Sequence, residues 1–175
     1  MTQPTLLDRL RSCERSAWHL EMRDGYMRSD PRFEAWQNGV RDAPDASDPQ
    51  LRPWLSLVRE LVGRGVEIQR ARIVSEPLSD YIQFEHHLTL PTVEAGEQVR
   101  WLPRRLASAL ALPGNDFWLL DDKVVVFHHF AGDGELAPDD EEVTAAPEVA
   151  RLCRDAFTAV WKLAVPHADY QPVRG

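Results

Sequence analysis

Cysteine, long apolar runs and positive charge are all in short supply in this chain, and each shortage excludes something. Cys13 and Cys153 are the only cysteines in 175 residues. Each falls on the apolar side of a predicted helix, where a thiol serves as a small hydrophobe. They read as two reduced core thiols, with a redox or metal role as the alternative. No apolar run approaches the roughly 20 residues that cross a bilayer. The N-terminal MTQPTLLDRLRSCERS puts charges where a signal peptide needs an apolar stretch, so a soluble, cytoplasmic protein is expected. Lys and Arg number 20 against 28 Asp and Glu, giving a net charge of -8 and a pI near 5.2. Such a surface is not built to neutralise phosphates, and direct nucleic-acid binding is not expected.

Familiar catalytic signatures are missing too. There is no H-E-x-x-H, no Cys-x-x-Cys, no G-x-S-x-G elbow, no Walker loop and no dinucleotide fingerprint. Gly132-Asp133-Gly134 is too short to count as a phosphate loop. The acidic stretch GDGELAPDDEE fails the D-x-[DN]-x-[DN]-G spacing of a calcium loop and reads as a solvated loop, Ala131 to Ala145. Neither a metal nor a cofactor is expected.

What is present has the size of one domain, 1–175, with 43% hydrophobic residues to build a core. An N-terminal helical portion reaches about residue 63, and a C-terminal packing helix spans about 147–164. Leu6, Leu7, Leu10 and Cys13 recur at helical spacing. From Ala17 to Arg23 the period becomes two: Trp18, Leu20 and Met22 alternate with His19, Glu21 and Arg23. That polar side is either a solvated face or a substrate-facing one. Asp30-Pro31 starts a short helix with Phe33 and Trp36, and Asp48-Pro49 starts a longer one that Gly63 and Gly65 end. VEIQRARIV, with Gln69, Arg70 and Arg72 interleaved, is a strand. SEPLSDYIQFEHHL is a helix with His86 and His87 near its C-terminal end, and Gln98 to Leu102 is a short strand. Pro103 opens a brief helix, RRLASAL, beside an arginine cluster (Arg100, Arg104, Arg105) that is solvated, paired, or an anion site. The tail PHADYQPVRG folds back or frays.

The densest chemistry lies in Leu112 to Gly134. Asp121-Asp122-Lys123 joins two apolar runs into a hairpin that belongs in the middle of a sheet. Asp116, Trp118, His128 and His129 lie around it. The two histidines sit on successive strand positions and face opposite sides, so only one can enter a given pocket.

Six segments carry a resemblance: Ala17 to Asp24 (AWHLEMRD), Ser75 to Tyr81 (SEPLSDY), Ala95-Gly96-Glu97, Arg100 to Arg104 (RWLPR), Gly114 to Trp118 (GNDFW) and Ala164 to Tyr170 (AVPHADY). They resemble an uncharacterised actinobacterial family, common in Streptomyces and its relatives, whose members often lie beside genes for helix-turn-helix regulators. The resemblance spans nearly the whole chain and implies such a regulator as protein partner. The order of strand, helix, a strand with Val99-Arg-Trp-Leu102 and the DFWLLDDKVVV hairpin is similar to half of a phospholipase-D-like domain. Catalysis in that superfamily uses His-x-Lys, a nucleophilic histidine with a phosphate-binding lysine. This chain has no His-x-Lys, its only lysines being Lys123 and Lys162. Catalytically silent versions of that fold serve as binding domains in regulators.

These readings favour a non-enzymatic regulatory or ligand-sensing domain of α/β (α+β) class. A mixed central sheet of about five strands is flanked by helices, with a polar pocket at the strand ends lined by Arg23, Arg72, Asp80, Tyr81, Arg100, Asp116, Trp118 and His128. The competing reading is a small-molecule enzyme using Asp116 or Asp121 with His128 or His129 as an acid/base pair. A purely structural partner protein would instead show a flat apolar patch and no pocket.

Overall fold

The computed structural model describes residues 4–42 and 47–173; part of the polar connection 41–50 lies outside them. Along the chain run α1 (Leu6–Arg11), β1 (Ser16–Glu21), α2 (Pro31–Gln37), α3 (Arg52–Gly63), β2 (Glu67–Val74), α4 (Asp80–Glu94), β3 (Gln98–Pro103), a 3-10 turn (Arg104–Leu106), β4 (Asp116–Leu120), β5 (Val124–Phe130), β6 (Leu136–Thr144), α5 (Pro147–Leu163) and β7 (Val165–Pro166). The strands form one sheet in the order β6-β5-β4-β1-β2-β3-β7. β1, β2 and β3 are parallel, and the other pairings are antiparallel. Among the described residues no helix is long and apolar enough to cross a membrane.

The sheet has seven strands where about five were expected, and the main reason is β6. Its sequence, LAPDDEEVT, reads as an acidic loop because edge strands carry charges that blunt further pairing. α4 also departs from expectation. Ser75 does not cap it: its amide and hydroxyl bind the Asp24 carboxylate at 2.7 and 2.6 Å. Ser79 caps instead, its Oγ accepting from the Ile82 amide, and the helix runs on through Pro91 to Glu94. His86 and His87 are therefore mid-helix, away from any charge at the C-terminal end. RRLASAL gives only the 3-10 turn. The tail folds back, with buried Tyr170 stacked on Trp101 at 5.6 Å.

Strand alternation gives the sheet two unlike faces. One is largely apolar: Leu20, Ala71, Ile73, Leu102, Phe117, Leu119 and Val125 pack against Ala150, Cys153, Phe157 and Val160 of α5, with Arg100 as a polar exception that donates to α5. β4 is buried along its whole length, as expected for a central strand. On the other face, Ala17, Ile68, Trp118, Leu120 and Val126 pack under α1 and α3. Farther along, Val74, Val99 and Trp101 pack with Tyr26, Phe33, Tyr81 and Phe84 of the α2 and α4 side. Between these clusters the same face turns polar. β2 passes from Ile68 through Arg70 and Arg72 to Val74, β1 from Ala17 to His19 and Glu21, and β4 from Trp118 to Asp116.

The hairpin turn also anchors the chain's entry to β1. Asp121 and Asp122 adopt φ of 49° and 61°, a left-handed geometry that aspartate tolerates better than most residues. Asp121 Oδ1 accepts from the amides of Arg15 (2.8 Å) and Ser16 (3.0 Å), and Oδ2 from that of Glu14 (3.0 Å). Burial alone would raise this carboxyl, but the three amides and the Arg15 charge hold it below the usual carboxylate range. Asp121→Ala is expected to cost about 1–3 kcal/mol by removing three bonds to a charged acceptor, the exposed donors turning to water. A carboxylate depressed on folding adds stability above its unfolded pKa and loses it on acidification. Urea melts should therefore show the gap between wild type and variant closing as the pH falls below the ordinary aspartate value of 3.8.

Candidate functional site

The polar part of the sheet face forms the floor of a cavity of about 410 Å³, a size typical of small-ligand sites. Pairing register builds this floor in rows. One row runs Val126, Trp118, His19, Arg70, Val99 across β5, β4, β1, β2 and β3; beyond it His128 pairs with Asp116, and Glu21 with Arg72. Tyr81 and Glu85 of α4 and Tyr26 from the β1–α2 loop form walls, while Leu136, Asp140 and Glu141 of β6 stand at the rim.

Two buried arginines are neutralised from below and beside. Arg70 reaches Glu21 Oε1 at 2.7 Å and Glu97 Oε1 at 2.6 Å. Arg72 meets Glu85 Oε2 at 2.7 Å, and its Nε lies 2.9 Å from Glu21 Oε2 as a charge contact without hydrogen-bond alignment. Burial works against both guanidinium charges, yet the surrounding carboxylates leave both pKa values above the ordinary arginine value. Glu97 is delivered by the turn at Gly96, whose φ of 111° suits glycine and where a Cβ would meet Val62 at 3.1 Å. Its Oε2 accepts from the Trp54 indole at 3.2 Å.

His19 lies flat on Trp118, with centroids 4.2 Å apart. It is 8% exposed, its Nδ1 makes no hydrogen bond, and Glu21 Oε1 lies 3.5 Å from that atom. Burial first, then Arg70, His128 and Arg72, push its pKa well below the usual histidine value, so the ring is neutral. His128, whose ring lies 6.1 Å from His19, is also lowered by burial, with Glu141, Asp140 and Glu21 opposing. Asp116 accepts from the Met22 amide at 2.9 Å and, through a very short bond, from the Tyr26 hydroxyl. Burial pushes this carboxyl up to about 6 despite those bonds. Tyr26 is held by its own acceptor role, receiving the Arg23 amide at 3.1 Å.

Five of the eight pocket residues expected from sequence meet in this cavity: Arg72, Tyr81, Asp116, Trp118 and His128. Three do not. Arg23 follows the end of β1, where alternation no longer applies, and its guanidinium lies over Phe130 at 4.9 Å beside a separate open hollow. Asp80 opens α4 and bonds Gln37 at 3.0 Å. Arg100 belongs to the opposite strand face, donating to the Trp161 carbonyl at 3.0 Å. The arginine cluster also separates: Arg104 ties Met22 and Ile73 carbonyls to Asp24, bracing the loop that carries Tyr26, while Arg105 is exposed. Of the acid/base candidates, Asp121 caps backbone amides as above. His129 turns away to Glu142 at 3.2 Å, as strand alternation from His128 requires. Arg70, Tyr26 and Glu85 were not singled out from sequence. Arg70 and Arg72 stand on one strand face, and only the parallel pairing of β1 with β2 brings them to His19 and Glu21.

A family model described as a domain of unknown function (DUF6879) matches residues 4–172. No curated protein matches the chain. Among solved structures, the chain is similar to a phospholipase D family member, Nuc from Salmonella typhimurium, with a TM-score of 0.50 and 11% identity over 91% of this chain and 86% of that one. It is also similar to NucT from Helicobacter pylori, with a TM-score of 0.51 and 12% identity over 92% and 87%. At these identities the likeness is one of fold: a phospholipase-D-like sheet flanked by helices.

Proposed function

This chain belongs to the DUF6879 family, and from that membership and its phospholipase-D-like fold we propose a non-enzymatic, ligand-sensing domain that works with a helix-turn-helix transcriptional regulator. The observation that carries the reading is the cavity: a largely pre-formed hollow of about 410 Å³ with convergent polar groups on a rigid sheet. Its chemistry differs from that of a phosphodiesterase. Such an enzyme needs a nucleophilic histidine beside a free cation for the phosphate. Here His19 has Glu21 two residues on, on the same face, and Arg70 and Arg72 are already bound to carboxylates. The regulator partner is proposed on the family resemblance read from the sequence alone.

Two measurements test this. Bis(p-nitrophenyl) phosphate should be turned over no faster by the full chain than by buffer; hydrolysis lost in His19→Ala would overturn the non-enzymatic reading. Pull-down against a neighbouring helix-turn-helix protein should show micromolar association that responds to metabolite extract. No association with or without extract removes the regulatory part. One observation favours a second reading: Asp116, raised to about 6, stands in register with His128 inside the cavity, as an acid/base pair would. Substrate turnover abolished by Asp116→Asn in a folded protein would establish it.

A further inference from the structure

We propose that the cavity takes an organic cation, an amine or guanidinium group on an aromatic or apolar body, with Asp116 as its counter-charge. The inference rests on the cavity being the ligand site. Its first support is charge balance. Glu21, Glu85 and Glu97 contact Arg70 and Arg72, one carboxylate more than the cations, while Arg32 near Glu85 is paired with Asp30 and Arg23 faces Asp116. Asp140 and Glu141 add two more carboxylates at the rim. Neither histidine offsets them, since His19 and His128 both favour the neutral ring. An anion entering here would meet guanidinium groups whose donors face carboxylates, against a net negative field.

Unused capacity is the second support. Asp116 accepts one bond at each oxygen, and a carboxylate has room for about four. His19, 8% exposed and lining the same cavity, keeps a buried Nδ1 without a hydrogen bond. Aromatic surface is the third: Tyr26 and Tyr81 line the hollow beside Trp118 and Phe130, whose rings already carry His19 and Arg23, and tyrosine ring faces attract cations.

Acidification acts in one direction on this site. Asp116 is faced by Tyr26 and Arg23 of the loop, Glu21 and His19 of β1, and His128 of β5. From farther round the cavity, Arg72 of β2, Glu85 of α4, and Asp140 and Glu141 of β6 share it. Between pH 7.5 and pH 5 Asp116 gains its proton, and any protonation of the histidines also adds positive charge. Cation binding weakens on both counts.

Calorimetric titration of the full chain with phenethylamine, 2-phenylethanol and inorganic phosphate tests the class. At pH 7.5 phenethylamine should bind at least tenfold more tightly than the neutral alcohol, and most of that preference should vanish at pH 5. Asp116→Asn should remove the preference while leaving alcohol binding in place. Because that position is buried, the exposed rim variant Glu141→Gln provides a second reading, with an expected two- to threefold loss for the amine alone. Phosphate or alcohol bound as tightly as the amine overturns the cation assignment and leaves the cavity reading standing. No heat from any of the three at millimolar concentration counts against both.

Discussion

Replacing Arg70 by methionine is expected to lower the unfolding free energy by about 3–5 kcal/mol, the usual consequence of removing one partner from a buried ion pair. Arg70 is the shared cation of Glu21 and Glu97, and the Glu97 side chain has no solvent exposure at all. Methionine fills much of the space but strands Glu97 without a cation and leaves Glu21 with Arg72 alone. Trp54 alone would then remain to bond the Glu97 side chain. The double variant Arg70→Met with Glu97→Gln should recover a substantial part of the loss, because it removes the stranded charge with the cation. Chemical denaturation of the two single variants and the double settles the matter. Additive losses would mean that Arg70 and Glu97 stabilise the fold independently.

Phe157→Ala should be of similar size and opposite functional meaning. Phe157 is 1% exposed, stacks on Trp18 at 5.1 Å and on Trp161 at 5.4 Å, and sits at the centre of the α5 face. Truncating a buried phenylalanine costs about 3–5 kcal/mol through lost transfer energy and the cavity left behind. The sheet separates this position from the polar floor, so ligand affinity measured below the melting transition should match wild type. A large affinity loss in this variant would mean that the two faces are coupled. In that case Arg70→Met could no longer be read as a local perturbation.

How much of this was legible beforehand depends on the range of the interactions. Local periodicity announced β1, α3, α5 and the hairpin, and strand alternation separated His128 from His129. It also grouped His19 with Glu21, which do share the cavity, while extending the strand to Arg23, which does not. Short-range signals misled where two chemistries share one composition. The acidic edge strand β6 looks like a loop, and Ser75 before Glu76-Pro77 looks like a helix cap although Asp24 binds it and Ser79 does the capping. The core of the site escaped for a different reason. Arg70 meets His19 only through parallel pairing across about fifty residues of chain, and Glu85 meets Arg72 only because α4 crosses that face. Register between distant strands is set by packing of the whole sheet, which no local pattern records.

The phospholipase-D-like likeness is one of fold and does not by itself carry an activity. A fold fixes where side chains converge, and the residues placed there decide the chemistry. At this convergence the chain puts three carboxylates around two arginines, a neutral histidine on a tryptophan, and an aspartate poised near pH 6.

The most direct test of the central claim is a crystal structure of the full chain with the compound that raises its melting temperature most. The account predicts that compound over the His19–Trp118 pair, within hydrogen-bond distance of Asp116 and walled by Tyr26 and Tyr81. A compound bound elsewhere, with the cavity unchanged and holding only solvent, would contradict it.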